Sequence, residues 1–252
     1  MSVVQYATDR GIATVTLDSP ENRNALSAAL VGELSAHLVT AAADRDVRAV
    51  LLTHTGTTFC AGADLKEQAA EGGPEEGTRR MLALLRQIVE LPKPVVARIA
   101  GNVRAGGLGL VGASDIAVAG PLASFAFTEV RLGLTPAIIS LTTLNRMSAR
   151  SASRYYLTGE TFGAATAAET GLITLAAEDL DAELVPIIDA LRLCSPQGLA
   201  ETKPITTRTA LADFGAHADA MQALSARLFG SDEAREGIMA FLQKRPPNWA
   251  PQ

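Results

Sequence analysis

Three short segments carry residue types that could do chemistry. FCAGADL, Phe59 to Leu65, follows an apolar run. Its small residues from Ala61 to Ala63 let the backbone approach a ligand closely and offer it an N–H. RAGGLGLVGASD, Arg104 to Asp115, reads as a glycine turn entering a short helix. The amides of Gly106 and Gly107 would then lie at a helix N-terminus, where the dipole favours negative charge. AFTEVRLGLTP, Ala126 to Pro136, sets one carboxylate, Glu129, after a strand-like run. Each segment also has a plainer reading: a strand-to-helix turn, a glycine pair for tight helix packing, and a solvated strand end. Together they offer amide donors for a developing negative charge and a carboxylate to move a proton.

The surrounding pattern predicts the elements that would hold these segments. IATVTL, residues 12–17, alternates as a strand, and Ser27 is a candidate N-cap for a helix with Leu30, Leu34 and Leu38 on one face. RAVLLTHTG, Arg48 to Gly56, is a second strand, and TRRMLALLRQIVELP, Thr78 to Pro92, is a helix stopped by Pro92 and Pro94. PVVARIAG, DIAVAG and ASFAFTEV read as further strands. Strand and helix in alternation predict an α/β layer architecture with right-handed crossovers. Beyond about residue 136 helical spacing dominates, at 137–147, 150–157, 164–170, 180–193 and in a long pair over about 205–244. The chain therefore divides into an α/β core, residues 1–195, and a helical C-terminal region, residues 196–252. Residues 66–80, KEQAAEGGPEEGTRR, are charged and core-poor and are expected to form a mobile surface loop.

The totals limit the function classes. The chain has 252 residues, 48% hydrophobic and 19% charged, with a net charge of −5. An acidic chain with no lysine/arginine block speaks against a nucleic-acid surface. Two distant cysteines, Cys60 and Cys194, form neither a disulfide framework nor a metal-ligand spacing, which fits a reducing compartment. The N-terminus, MSVVQYATDRG, lacks a basic stretch followed by an apolar run, and apolar stretches elsewhere are cut by charges before reaching membrane-spanning length. A cytoplasmic protein with no membrane or nucleic-acid partner is expected.

The ordered pieces ENRNALS (21–27), FCAGADL (59–65), IAGNVRAGGLGL (99–110), SDIAVAG (114–120), EVRLGLTP (129–136), YYLTGETFGAATAAETGLI (155–173) and FLQKR (241–245) closely resemble the crotonase, or enoyl-CoA hydratase/isomerase, family across essentially the whole chain. The resemblance implies a crotonase-type spiral of ββα units with a helical C-terminal trimerisation region. It also implies a homotrimer or dimer of trimers, and an acyl-CoA thioester as substrate. It puts the two amides that hold the thioester oxygen on Ala63 and Gly106, and an acid/base on Glu129. It assigns CoA contacts to Asn24, Ala25 and Leu26 and to Ala61, Asp64, Leu65 and Lys66. Phe241 and Lys244 match residues that cap a neighbouring subunit's CoA, and Arg23 and Lys244 are candidate phosphate contacts. No redox cofactor or metal is implied, since CoA is part of the substrate.

One position departs from the pattern. Typical hydratases of the family carry a second glutamate where this chain has Gly109. With Glu129 alone, hydration of a 2-enoyl-CoA, Δ3-Δ2 enoyl-CoA isomerisation and acyl-CoA binding without turnover all remain open, hydration being the expectation. GGLGL with EVRLGLTPAIIS resembles a bacterial subgroup that hydrates branched glutaconyl-CoA-type substrates and also has glycine there. Glu129→Gln is expected to abolish whichever activity is present, and alanine at Gly109 is not. Arg131 pairs either with a surface acid or with a substrate carboxylate. His37, His54 and His217 match no catalytic position of the family, and His54 is expected to be a packed strand residue.

Overall fold

In the computed structural model, which describes residues 2–65, 67 and 74–251, the chain winds two sheets at once. β1 (Val4–Asp9) and β2 (Ile12–Leu17) form an antiparallel hairpin turned at Arg10 and Gly11, both at positive φ. From β2 onward the larger sheet is parallel, through β3 (Ala49–His54), β5 (Val95–Ile99), β7 (Ile116–Ala119) and β10 (Leu175–Ala176). The smaller sheet has the order β4 (Thr58–Cys60), β6 (Asn102–Arg104), β8 (Ser124–Ala126), β9 (Phe162–Gly163). Each turn of chain lays one strand in the large sheet and the next in the small one, then adds helix. β3 and β4 precede helix Pro74–Glu90, and β5 and β6 precede helix Gly106–Ala113. β7 and β8 precede a 3₁₀ turn, Thr128–Leu132, and helix Ala137–Thr143. This is the α/β spiral of ββα units that the motifs imply.

Burial explains why these stretches are strands. Val95, Val96, Ala97 and Ile99 of β5 are all buried, as a parallel strand covered on both faces requires. Helix Ala28–Ala43 buries Leu30, Leu34 and Leu38, and the Ser27 side chain accepts from the Leu30 N–H as its N-cap.

Helix Pro74–Glu90 starts earlier than the sequence suggests. Residues 74–80, read there as part of a mobile loop, form its first turns, opened by Pro74 with Glu75 and Glu76 beside the dipole's positive end. Thr78 is buried, so the stretch has an inner face despite its charge. The rest of that expected loop, 66 and 68–73, lies outside the described residues apart from Glu67.

The C-terminal part comprises helices Leu180–Leu193, Pro196–Thr206, Arg208–Phe229 and Asp232–Leu242. Helix 208–229 folds back onto helices 74–90 and 137–143. Lys203, almost fully buried, anchors this return: its Nζ lies 2.8 Å from Asp115 Oδ2 and donates to the carbonyls of Ile88 (2.8 Å) and Lys93 (3.0 Å). Helix 232–242 packs on the 3₁₀ turn so tightly that a Cβ at Gly237 would lie 2.5 Å from the Leu132 carbonyl carbon. Among the described residues, no helix is long and apolar enough to cross a membrane and no cluster of three or more His, Cys, Asp or Glu could hold a metal.

Candidate active site

The site is built from backbone first. β4 ends at Cys60, and the next residues are tied to the N-terminal loop: Ala61 N–H donates to Arg23 O (3.1 Å) and Leu26 N–H to Gly62 O (2.8 Å). Gly62, at φ +89°, touches the second glycine segment. A Cβ there would sit 2.8 Å from Ala105 Cβ and 3.1 Å from the Gly106 nitrogen. Ala105 itself holds φ 46°, ψ −121°, an unfavourable conformation for an L-residue, and its N–H donates to Ala126 O at 3.2 Å. That kink delivers Gly106 to the start of helix 106–113. Among the described residues, neither the Ala63 nor the Gly106 N–H has an acceptor. Cys60 lies beneath, fully buried, its thiol pushed up to about 12 by burial, which keeps it a packing group.

Glu129 comes from the other side. It lies in the 3₁₀ turn Thr128–Leu132, closed by Gly133 at φ +71° whose N–H donates to the Glu129 carbonyl. Its side chain is buried, with 9% of the residue exposed, and Oε2 has no hydrogen-bond partner among the described residues. Burial pushes the carboxyl up to about 7. Ala63, Gly106 and Glu129 all line one cavity of about 740 Å³, its open mouth included, with apolar walls from Leu26, Met81, Leu134, Ile138 and Ile139.

Gly109 lies in helix 106–113 and is wholly enclosed. A Cβ there would be 2.7 Å from Ile139 Cγ2, 3.0 Å from Leu85 Cδ1 and 3.1 Å from Met81 Cε. Methyl groups fill the place where the resemblance puts a second glutamate in other proteins.

A second cleft adjoins the cavity. Arg23, Ala25, Ala61, Asp64, Leu65 and Phe241 line it, and Leu26 lines the first cavity. Three other residues assigned CoA contacts stand differently. The Asn24 side chain is turned into the fold, its Oδ1 accepting from Ser19 N–H (2.8 Å) and its Nδ2 donating to Thr55 O (3.1 Å) and Thr58 O (2.8 Å), so it shapes the loop. Lys244, exposed at φ +54°, lines neither cleft. Lys66 lies outside the described residues. Phe241, matched to a residue that reaches a neighbouring subunit, lies at the cleft of its own chain, because helix 232–242 packs back onto the 3₁₀ turn.

The same cleft contains two arginines outside the CoA contacts that the resemblance assigns. The Arg104 guanidinium is fixed by Val103 O, Ser124 O and Ser124 Oγ, at 2.7–2.9 Å. Arg131 also lines it, its Nε donating to Thr158 O at 3.2 Å; its charge helps hold the Glu160 carboxyl below the usual range, although no acid lies within ion-pair distance among the described residues. Ser225 and Phe229, from the C-terminal helix, complete the first cavity. A long-range return of chain leaves no mark in local spacing. His54 is a packed strand residue, its Nε2 accepting from Ala100 N–H (3.1 Å) and Nδ1 facing Thr55 O (3.2 Å), with burial lowering its pKa.

Residues 7–252 match the family model described as enoyl-CoA hydratase/isomerase. A Rhodobacter capsulatus protein named "Probable enoyl-CoA hydratase" is 36% identical, over 98% of this chain and 97% of that protein. The crystal structure of an enoyl-CoA hydratase from Mycobacterium avium is similar with a TM-score of 0.93 at 55% identity, over 99% of this chain and 100% of that one. One from Mycobacterium smegmatis gives 0.78 at 32% identity, covering 98% of each. With motifs, topology and relatives in agreement, the chain belongs to the enoyl-CoA hydratase/isomerase family and has the crotonase fold.

Proposed function

We propose that the protein adds water across the double bond of a 2-enoyl-CoA thioester. The observation that carries this reading is that Ala63 and Gly106, whose N–H groups have no acceptor among the described residues, line the same cavity as Glu129, whose Oε2 has no partner among them. The amides take the thioester oxygen and stabilise the enolate that forms when water oxygen bonds to C3. Glu129, ionised, takes a proton from that water and returns it to C2, so the elements of one water are added. A carboxyl near 7 exchanges a proton readily in both directions at neutral pH. The names of the relatives support the same reaction. The nucleotide end of CoA goes to the second cleft, past Arg23, Ala25, Ala61 and Asp64, with Phe241 opposite.

A second reading has its own support. Methyl groups at the Gly109 position leave one carboxylate facing the reacting carbons, and moving a proton from C2 to C4 of a 3-enoyl-CoA needs only one. Absorbance of the conjugated thioester separates the readings. Loss of signal with a 2-enoyl-CoA means hydration, and gain with a 3-enoyl-CoA means isomerisation. Silence with both, over a range of acyl chains, means binding without turnover and contradicts the proposal.

A further inference from the structure

Three residues border both clefts: Ala63, Ala105 and Phe229. The first two belong to the amide-bearing segments. The third arrives from the far end of the chain as the last residue of helix 208–229. A substrate that reaches from the second cleft into the cavity must pass between them, and its thioester must lie at that passage for Ala63 and Gly106 to hold the carbonyl oxygen. Phe229 is therefore the residue from outside the amide-bearing segments that borders this passage.

Its place is fixed by its neighbours. The chain turns immediately after it: Ser231 Oγ donates to Leu228 O (2.7 Å) and accepts from Ala234 N–H (3.2 Å), starting helix 232–242. That helix is clamped on the turn bearing Glu129, since a Cβ at Gly133 would lie 2.6 Å from the Glu233 carbonyl carbon. The corner and the carboxylate are thus parts of one packed unit.

We infer that Phe229 closes the passage over the thioester, packing its ring on the sulfur and first acyl carbons and keeping water from the amides' side of the group. This rests on the acyl-CoA reading above. A phenyl ring brings no donor or acceptor to compete with the amides, and excluding water strengthens their hold on the oxygen. The ring then contributes to binding of the thioester and not of the nucleotide.

Calorimetry with butyryl-CoA, which is saturated and cannot turn over, and with free CoA tests this. Phe229→Ala is expected to weaken butyryl-CoA binding by roughly tenfold or more and free CoA by less than about threefold, with Phe229→Leu restoring most of the difference. If the alanine variant does not fold, the leucine variant carries the test, with a loss of about threefold confined to butyryl-CoA. Equal losses for both ligands, or no loss for either, overturn the inference while leaving the acyl-CoA reading intact. A wild-type protein that binds neither ligand overturns both.

Discussion

Gly109 and Ile139 face each other with no room for a side chain between them, since a Cβ on the glycine would lie 2.7 Å from Ile139 Cγ2. The missing second carboxylate is thus a feature of the packed core. Gly109 also gives its carbonyl to Thr142 Oγ1 at 3.1 Å, which ties helix 106–113 to helix 137–143. A branched methyl on a helix has few rotamers to retreat into. Gly109→Ala is expected to cost about 1–3 kcal/mol in urea unfolding. Ile139→Ala removes the opposing methyl, so the double variant should be more stable than the sum of the two losses predicts. Strict additivity would show that the two positions are not in contention.

The buried Glu129 makes stability depend on pH in a definite direction. Burial holds its carboxyl at about 7 in the fold, against an ordinary 4.5. The folded state keeps a proton that the unfolded chain releases between those values. The stability this gives is complete below the unfolded value and is lost as pH rises through about 7, by about 3 kcal/mol at most. Glu129→Gln stays neutral throughout and escapes the loss. Urea unfolding of both proteins at about pH 5 and about pH 8 should show the difference moving in the variant's favour at the higher pH. Parallel behaviour would mean that the carboxyl is not desolvated.

Gly62→Ala tests the amide geometry without touching Glu129. The residue has φ +89°, and the added methyl would meet Ala105 Cβ and crowd the Gly106 nitrogen. Displacing a donor is expected to lower kcat by about 10²–10³. Steady-state kinetics on a 2-enoyl-CoA beside a thermal melt make the comparison. A folded variant with near-normal kcat would show that the close approach of the two segments is not required.

The ion pair of Lys203 with Asp115 holds the C-terminal helices to the core. Burial lowers the Lys203 pKa, while the Asp115 carboxylate opposes that shift. Lys203→Met leaves the Asp115 carboxylate, which also accepts from Val95 N–H at 2.7 Å, without its cation. A loss of about 3–5 kcal/mol is expected in chemical denaturation, with part recovered on adding Asp115→Asn. A loss below about 1 kcal/mol would place the pair among those exposed to solvent.

Much of this was legible in the sequence because it depends on local chemistry. An alternating run marks β2, short apolar runs bounded by turn residues mark β3, β5 and β7, and Ser27 marks its helix. Small residues at 61–63 and 106–107 marked the segments where backbone meets backbone. β1 leaves no such mark, because Val4–Asp9 is exposed along most of its length and takes its strand form from pairing with β2. The start of helix 74–90 is hidden in the sequence because its first turn is charged. The lone carboxylate was visible as Glu129, but its burial, its unpartnered oxygen and its raised pKa come from elements far away in the chain. Phe229 and Arg104 belong to the same class: their types are ordinary, and only the fold brings them to a cleft.

The central claim is that one buried carboxylate, beside two free amides, moves the proton. It is tested most directly by the rate of 2-enoyl-CoA consumption for wild type and Glu129→Gln, with folding checked by a thermal melt. Wild type should deplete the conjugated thioester, with kcat/KM rising through about pH 7 as the carboxyl ionises, and the folded Gln variant should fall by about 10² or more. A folded Gln variant that turns over at near wild-type rates would contradict the account.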